Sequence, residues 1–218
     1  MHLLLLRHGQ TDDNARGVLQ GHTPTHLNAR GHEQAACLAA RLAHYEPRIE
    51  VVISSDLPRA LETAGPLARA LGVEVLSWPS WRERAFGPFE GRAIGEAQVW
   101  REATGSWDLP GAEPTGAFRE RIRTALLDVV GRFGSRGAVA VVSHGAAINT
   151  VIRLLAEGVL PLTDGAPPPA PAPVANCAIV DLRIEHAADG ALRWRVACLN
   201  DVAHLEESGA FPWEEQPR

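Results

Sequence analysis

The chain has 218 residues, a formal net charge of −5, and a composition that is 45% hydrophobic and 22% charged. That length suits one well-buried α/β domain better than two small ones, and the acidic balance excludes a general nucleic-acid binder with its basic face. All 21 basic positions are arginine, which excludes Schiff-base chemistry on lysine and a Walker-type phosphate loop; any bound phosphate would be held by arginine, histidine, backbone N–H groups or helix ends.

The first element is a strand over 2–7, an apolar leucine run that stops abruptly at Arg7-His8-Gly9. It is too short for a signal-peptide core, and no stretch approaches the roughly 20 apolar residues of a membrane span. Cys37, Cys177 and Cys198 show no metal or redox spacing, so they are expected to be reduced core residues of a cytoplasmic protein. Residues 9–29 read as a polar loop. A helix over about 31–45 places Ala35, Leu38, Leu42 and Tyr45 on one face. A second continuous apolar strand covers 49–53. Ser54, Ser55 and Asp56 are N-cap candidates for the helix that Pro58 opens. A short third strand follows at 73–76.

Residues 78–116 read as irregular and rich in aromatic side chains, with one helix near 94–104. A long helix over 118–133 turns Ile122, Leu126, Val129 and Phe133 inward. A further strand over 139–142 ends in Ser143-His144-Gly145, and a helix begins at Ala146 with Ile148, Val151, Ile152 and Leu155 on its apolar face. The Pro/Ala-rich stretch 161–173 is expected to be extended and mobile. Alternating strands over 178–184 and 192–199 flank Asp189-Gly190, a hairpin signal. The last residues, 209–218, read as a loose tail. Strands alternating with helices predict a three-layer α/β/α sandwich with a mostly parallel mixed sheet, to which the hairpin adds antiparallel edges. The expected organisation is a single domain over 1–205, with a cap-like insertion at about 78–116 and a C-terminal tail over 206–218.

Two strands that each deliver a histidine at the C-terminal end point to a site, because ligands of open α/β sheets sit beyond the carboxyl ends of the strands. A neutral imidazole at His8 can attack phosphorus, provided its other ring nitrogen is fixed by a hydrogen bond. Taken alone, His8 is equally well a strand-end residue that caps a turn. His144 begins a helix whose N-terminus favours an anion, although Ser-His-Gly by itself fits a structural histidine better. Arg59 falls in the first turn of the helix after the second strand and would otherwise be a surface ion-pair residue. Three such groups at one sheet edge exceed coincidence. Ser143 is not in a nucleophile elbow. His22, His26, His32 and His44 lack ligand spacing, so neither metal nor cofactor is expected.

These residues carry a resemblance. Leu6-Arg7-His8-Gly9-Gln10-Thr11 with Asn14 resembles the signature of the histidine phosphatase superfamily, the phosphoglycerate-mutase-like fold. Gln20-Gly21, and Leu27, Gly31 and Gln34-Ala35, are similar to its first loop and helix. Ser54-Ser55-Asp56-Leu57-Pro58-Arg59-Ala60 with Thr63-Ala64 is similar to its second motif. Arg82-Glu83-Arg84-Ala85-Phe86-Gly87 with Glu90-Gly91 looks like its acid-bearing segment, and Ser143-His144-Gly145 like its final motif. Asn200-Asp201 with His204-Leu205 resembles a common ending.

The resemblance implies His8 as nucleophile. It implies that Arg7, Arg59 and His144 clamp the phosphoryl oxygens, with Asn14, Gln20, Gly21 and Gly145 lining the pocket. Glu83 would be the acid and then the base, preferred over Glu90, which would otherwise serve as a loop or capping contact. The implied activity is a metal-independent phosphomonoesterase acting on a small phosphorylated metabolite. Two other readings stay open: a mutase of the same family, and a phosphate-binding module without activity. Residues 107–113 resemble the short Gly-Gly-Glu-Ser-like segment of the phosphatases, with Ala112 and Pro114 as departures. The expected partner is a phosphate ester, with no nucleic acid and no membrane. A homodimer through a sheet edge is compatible with the sequence, but no residue demands it.

Overall fold

The computed structural model describes residues 1–163, 173–187 and 189–206. Strand β1 (His2–Arg7) carries the leucine run, and Leu3, Leu4, Leu5 and Leu6 are fully buried. Only a strand covered on both faces needs apolar residues at every position. The elements that cover and flank it are α1 (Asp12–Arg16), α2 (Ala29–Leu42), β2 (Ile49–Ser54), α3 (Pro58–Leu71), β3 (Val75–Ser77), α4 (Ile94–Thr104), α5 (Thr115–Phe133), β4 (Ala138–Ser143), α6 (Gly145–Ala156), β5 (Ile179–His186), β6 (Leu192–Asp201) and α7 (Ala203–Glu206).

The six strands form one sheet in the order β3-β2-β4-β1-β5-β6. Strands β3, β2, β4 and β1 are parallel, and the β5–β6 hairpin adds two antiparallel pairings. Side chains alternate across a strand, which divides the core in two. Leu3 and Leu5 join Val139 and Val141 against Ile122 and Val129 of α5 and Ile148 and Val151 of α6. Leu4 and Leu6 join Ala140 and Val142 against Leu38 and Leu42 of α2 and Ala64 and Leu67 of α3. The result is the three-layer mixed α/β sandwich expected from the sequence. Of the aromatic residues, Trp81 and Trp194 are fully buried core members. Among the described residues, no helix is long and apolar enough to cross a membrane. Most of the Pro/Ala-rich stretch 161–173 and all of the tail 209–218 lie outside the described residues.

The structure corrects three local expectations. The stretch 9–29 is not all loop, because it contains α1. Thr11 caps that helix through a capping box in which Asn14 takes the place usually held by Glu or Gln. Helix α2 starts at Ala29 rather than Gly31, since the Asn28 side chain accepts the Gly31 N–H, and it ends at Leu42. Helix α3 has Pro58 at its start as expected, but its N-cap is Leu57, with no side-chain cap. The three candidate caps are engaged elsewhere: the Ser54 hydroxyl donates to the Ser55 carbonyl, Asp56 is paired with Arg82, and Ser55 reaches His144.

Register places the site. Arg7 lies opposite Ser143, and Ser54 opposite Val142. His8, Ser55 and His144 therefore leave three neighbouring parallel strands at one carboxyl edge, the place where open α/β sheets bind ligands.

Candidate active site

His8 and His144 leave adjacent strands side by side, with ring centroids 5.1 Å apart. Both are buried. His8 Nδ1 lies 2.7 Å from the Gly9 carbonyl oxygen. A carbonyl can only accept, so Nδ1 carries the hydrogen and Nε2 keeps its lone pair. Burial holds the His8 pKa well below the ordinary histidine value, helped by the nearby Arg59 and Arg7 charges and opposed by the Gly9 hydrogen bond. The ring is neutral at pH 7. Gly9 is required here for close approach, because a Cβ on it would fall 2.6 Å from the Gly31 carbonyl oxygen.

His144 presents the complementary tautomer problem. Its Nε2 lies 2.8 Å from Ser55 Oγ, which also accepts the Leu57 N–H. The Ser55 oxygen keeps a second lone pair, so the contact fits either tautomer: donation to a bare Nε2 places the His144 hydrogen on Nδ1, and acceptance from a protonated Nε2 leaves Nδ1 bare. The His144 pKa is likewise held well below normal, by burial first and then by Arg59, His8 and Arg7. Its Nδ1 is a buried nitrogen with no protein partner among the described residues, as are Arg7 Nε and Arg59 Nε. Buried polar nitrogens are nearly always bonded, so three orphans in one site call for an explanation.

Both Nη atoms of Arg59 and one of Arg7 are committed to the protein. Arg59 Nη1 donates to the Thr23 carbonyl (2.9 Å) and Thr25 Oγ1 (3.0 Å), and Nη2 donates to the Gly21 carbonyl (2.8 Å). Arg7 Nη1 donates to the Val174 carbonyl. Burial lowers the Arg59 pKa to about 10, partly offset by Glu83, so it stays charged. Gly145 adjoins the Arg7 guanidinium, whose Nε lies in ordinary contact distance, 3.6 Å, of where a Cβ would sit.

Glu83 reaches the same edge. One carboxylate oxygen accepts the Arg84 N–H (2.9 Å), and the other accepts the Ala146 N–H (3.0 Å) in the first turn of α6. Burial lowers the pKa of both Arg7 and Arg59, and the Glu83 charge opposes that lowering. Glu90 has the other role considered for it. It accepts the His22 and Phe86 N–H groups and the Thr23 hydroxyl, tying two loops together. Among the described residues, no group of three or more His, Cys, Asp or Glu side chains is disposed to hold a metal ion.

The model of the histidine phosphatase superfamily (branch 1) matches residues 3–197. The chain belongs to that family. It is 34% identical over 218 residues to a phosphoglycerate mutase-like protein of Arabidopsis thaliana, covering 95% of this chain and 88% of the other. It is 31% identical over 159 residues to a broad-specificity phosphatase of Saccharomyces cerevisiae, covering 70% and 69%. The solved structure of a mycobacterial glucosyl-3-phosphoglycerate phosphatase superposes with a TM-score of 0.74 at 28% identity, covering 91% of this chain and 98% of that one. Membership together with the phosphatase-named relatives supports a phosphoric monoester hydrolase.

In this histidine phosphatase His8, Arg7, Arg59, His144, Glu83 and Gly145 meet at the edge. Asn14, Gln20 and Gly21 join them through hydrogen bonds to neighbouring residues. Gln20 accepts the Thr11 and Thr25 hydroxyls, and Gly21 offers its carbonyl to Arg59. Asn14 Oδ1 accepts from Asn176, which also donates to the His8 carbonyl at 3.0 Å. Sequence reasoning missed Asn176 and gave Ser55 no role beyond a cap. Ser55 lies inside a recognised motif and was within reach. Asn176 has no local signal, because the contact spans 168 residues.

Proposed function

We propose that this chain is a metal-independent phosphomonoesterase that acts on a small phosphorylated metabolite through a phosphohistidine at His8. One observation carries the reading: a neutral imidazole with a free Nε2 shares its site with three buried, unpartnered nitrogens on His144, Arg7 and Arg59, of which the reading takes the His144 Nδ1 as protonated. Phosphoryl transfer spreads charge over the equatorial oxygens, and donors already fixed in a buried site stabilise that charge without reorganising. In the first step Glu83, having taken up a proton from solvent before the ester reacts, gives it to the leaving oxygen as the Nε2 lone pair bonds to phosphorus and the ester P–O bond breaks. In the second, water attacks the phosphohistidine and loses a proton to Glu83. The P–N bond breaks, its electron pair returns to Nε2, and inorganic phosphate departs.

The relatives carry both phosphatase and mutase names. The phosphatase reading is favoured because a mutase must also grip the remainder of a carboxylated substrate. The chain has no lysine. From 82 to 121, Arg82, Arg84, Arg92, Arg101, Arg119 and Arg121 are each engaged by a carboxylate, a carbonyl or an aromatic ring of the protein. Residues 78–116 are assigned as a cap over the leaving-group side. The three free thiols suit a reducing, cytoplasmic setting. One chain supplies every group named, so a homodimer is not needed to complete the site.

The test is turnover of para-nitrophenyl phosphate in the presence of EDTA, alongside 3-phosphoglycerate. Release of inorganic phosphate that survives EDTA is expected. Interconversion of phosphoglycerates without phosphate release would favour the mutase, and no reaction with either would sink the reading.

A further inference from the structure

The geometry points to Arg121, on α5, as the positioning residue that holds Glu83 in register for proton transfer. This rests on the reading of Glu83 as the proton donor. Arg121 Nη1 donates to the carbonyls of Ser80 and Arg82, both at 3.0 Å, and Nη2 donates to the Glu83 carbonyl at 3.1 Å. The same guanidinium forks onto Glu113, with Nε at 2.9 Å from Oε1 and Nη2 at 2.7 Å from Oε2. Glu113 is fixed in turn. Its N–H donates to the Ala85 carbonyl (2.8 Å), its carboxylate accepts the Ala85 N–H (3.3 Å), and its carbonyl accepts from Arg84 Nε (2.7 Å). His22 Nε2 adds a second donor to the Glu83 carbonyl at 2.8 Å.

The segment around Glu83 belongs to no strand and to no helix beyond the short turn Pro79–Trp81. Carbonyls in such irregular backbone are ordinarily solvated and mobile. Here one planar five-donor fork fixes three of them at once, a task that lysine, with a single ammonium, cannot perform. A general acid delivers its advantage only when held within hydrogen-bond reach of the leaving oxygen. Glu83 has one side-chain anchor on its neighbour Arg84 and one on α6, so the position of its carboxyl follows its backbone. Arg121 therefore acts through Glu83 and need not touch substrate.

The test compares kcat/KM for phenyl phosphate and para-nitrophenyl phosphate, which reports the first transfer whatever limits later steps. Phenolate is the poorer leaving group and needs the proton more. Arg121→Gln, Arg121→Lys and Glu113→Gln are measured beside Glu83→Gln, with inhibition by inorganic phosphate as a check on the clamp. The expected result is a loss of about tenfold or more on phenyl phosphate, within the range a positioned acid supplies. The loss on para-nitrophenyl phosphate should be less than about threefold, with phosphate inhibition unchanged. If Glu83→Gln is selective but the Arg121 and Glu113 variants lose both esters equally or lose neither, the positioning role fails while the acid assignment stands. If Glu83→Gln itself is unselective, both fall. Collapse of all three variants in thermal melts would assign the ion pair to the fold and overturn the proposal.

Discussion

Replacing Arg59 with methionine should separate stability from function. Methionine keeps much of the apolar stem and removes the charge and every donor. Three acceptors then lose their partner: the carbonyls of Gly21 and Thr23 and the hydroxyl of Thr25. At about 1.5 kcal/mol each, that loss destabilises by about 4–5 kcal/mol. Against it stands the cost of burying the charge. A pKa lowered to about 10 by burial corresponds to about 3 kcal/mol. The two nearly cancel, and a net loss of about 1–2 kcal/mol is expected. Activity should behave differently, because a cation clamping a transferring phosphoryl group is worth about 10³-fold or more. Urea unfolding, read with steady-state hydrolysis of para-nitrophenyl phosphate, checks both numbers. A stability loss above about 5 kcal/mol with activity within about tenfold of the parent would refute the reasoning, since it would make the guanidinium a structural tie.

Acid should weaken the fold before any carboxylate titrates. His8 and His144 have depressed pKa values when folded. Below about pH 6.5 the unfolded chain therefore binds protons that the folded chain refuses, and stability present above that pH is lost as it falls. Each ring contributes up to about 1.4 kcal/mol per pH unit, so unfolding at pH 5.5 should cost about 2–3 kcal/mol less than at pH 7.5. A flat profile would contradict the neutral assignment of the two rings. Ser55→Ala should release the His144 tautomer. The ¹⁵N resonances of that ring should move toward a mixture, and kcat/KM should fall about ten- to a hundredfold, less than the loss of a whole oxyanion donor. A parent His144 ring protonated at Nε2 would show that Ser55 accepts from His144 rather than donating.

The fold was legible where burial dictates composition. Residues 3–6 and 139–142 are apolar at every position because helices cover both faces of β1 and β4, and the charged or imidazole residue that ends each run marks the sheet edge. Arg59 could be placed because Pro58 fixes the helix start. Short-range exchange of hydrogen bonds hid the rest. Helix α1 is five residues long, and the Thr11 capping box closes on Asn14, a residue that reads as a turn signal. Asn28 capping concealed the first residues of α2 behind Gly31. Ser55 looked like a helix cap because serine commonly is one, yet a catalytic-edge imidazole claims its hydroxyl. Asn176 and Arg121 were beyond reading for another reason. Their partners lie far away in sequence, and only the sheet order and the packing of α5 bring them together.

The most direct test of the central claim is to trap the covalent intermediate. Brief incubation with ³²P-labelled para-nitrophenyl phosphate, followed by an alkaline quench, should leave label that survives base and is lost in acid. It should map to the peptide containing His8 and be absent from His8→Ala, which stays folded but does not turn over. Label on another residue, or hydrolysis that persists at the parent rate in His8→Ala, would contradict the account.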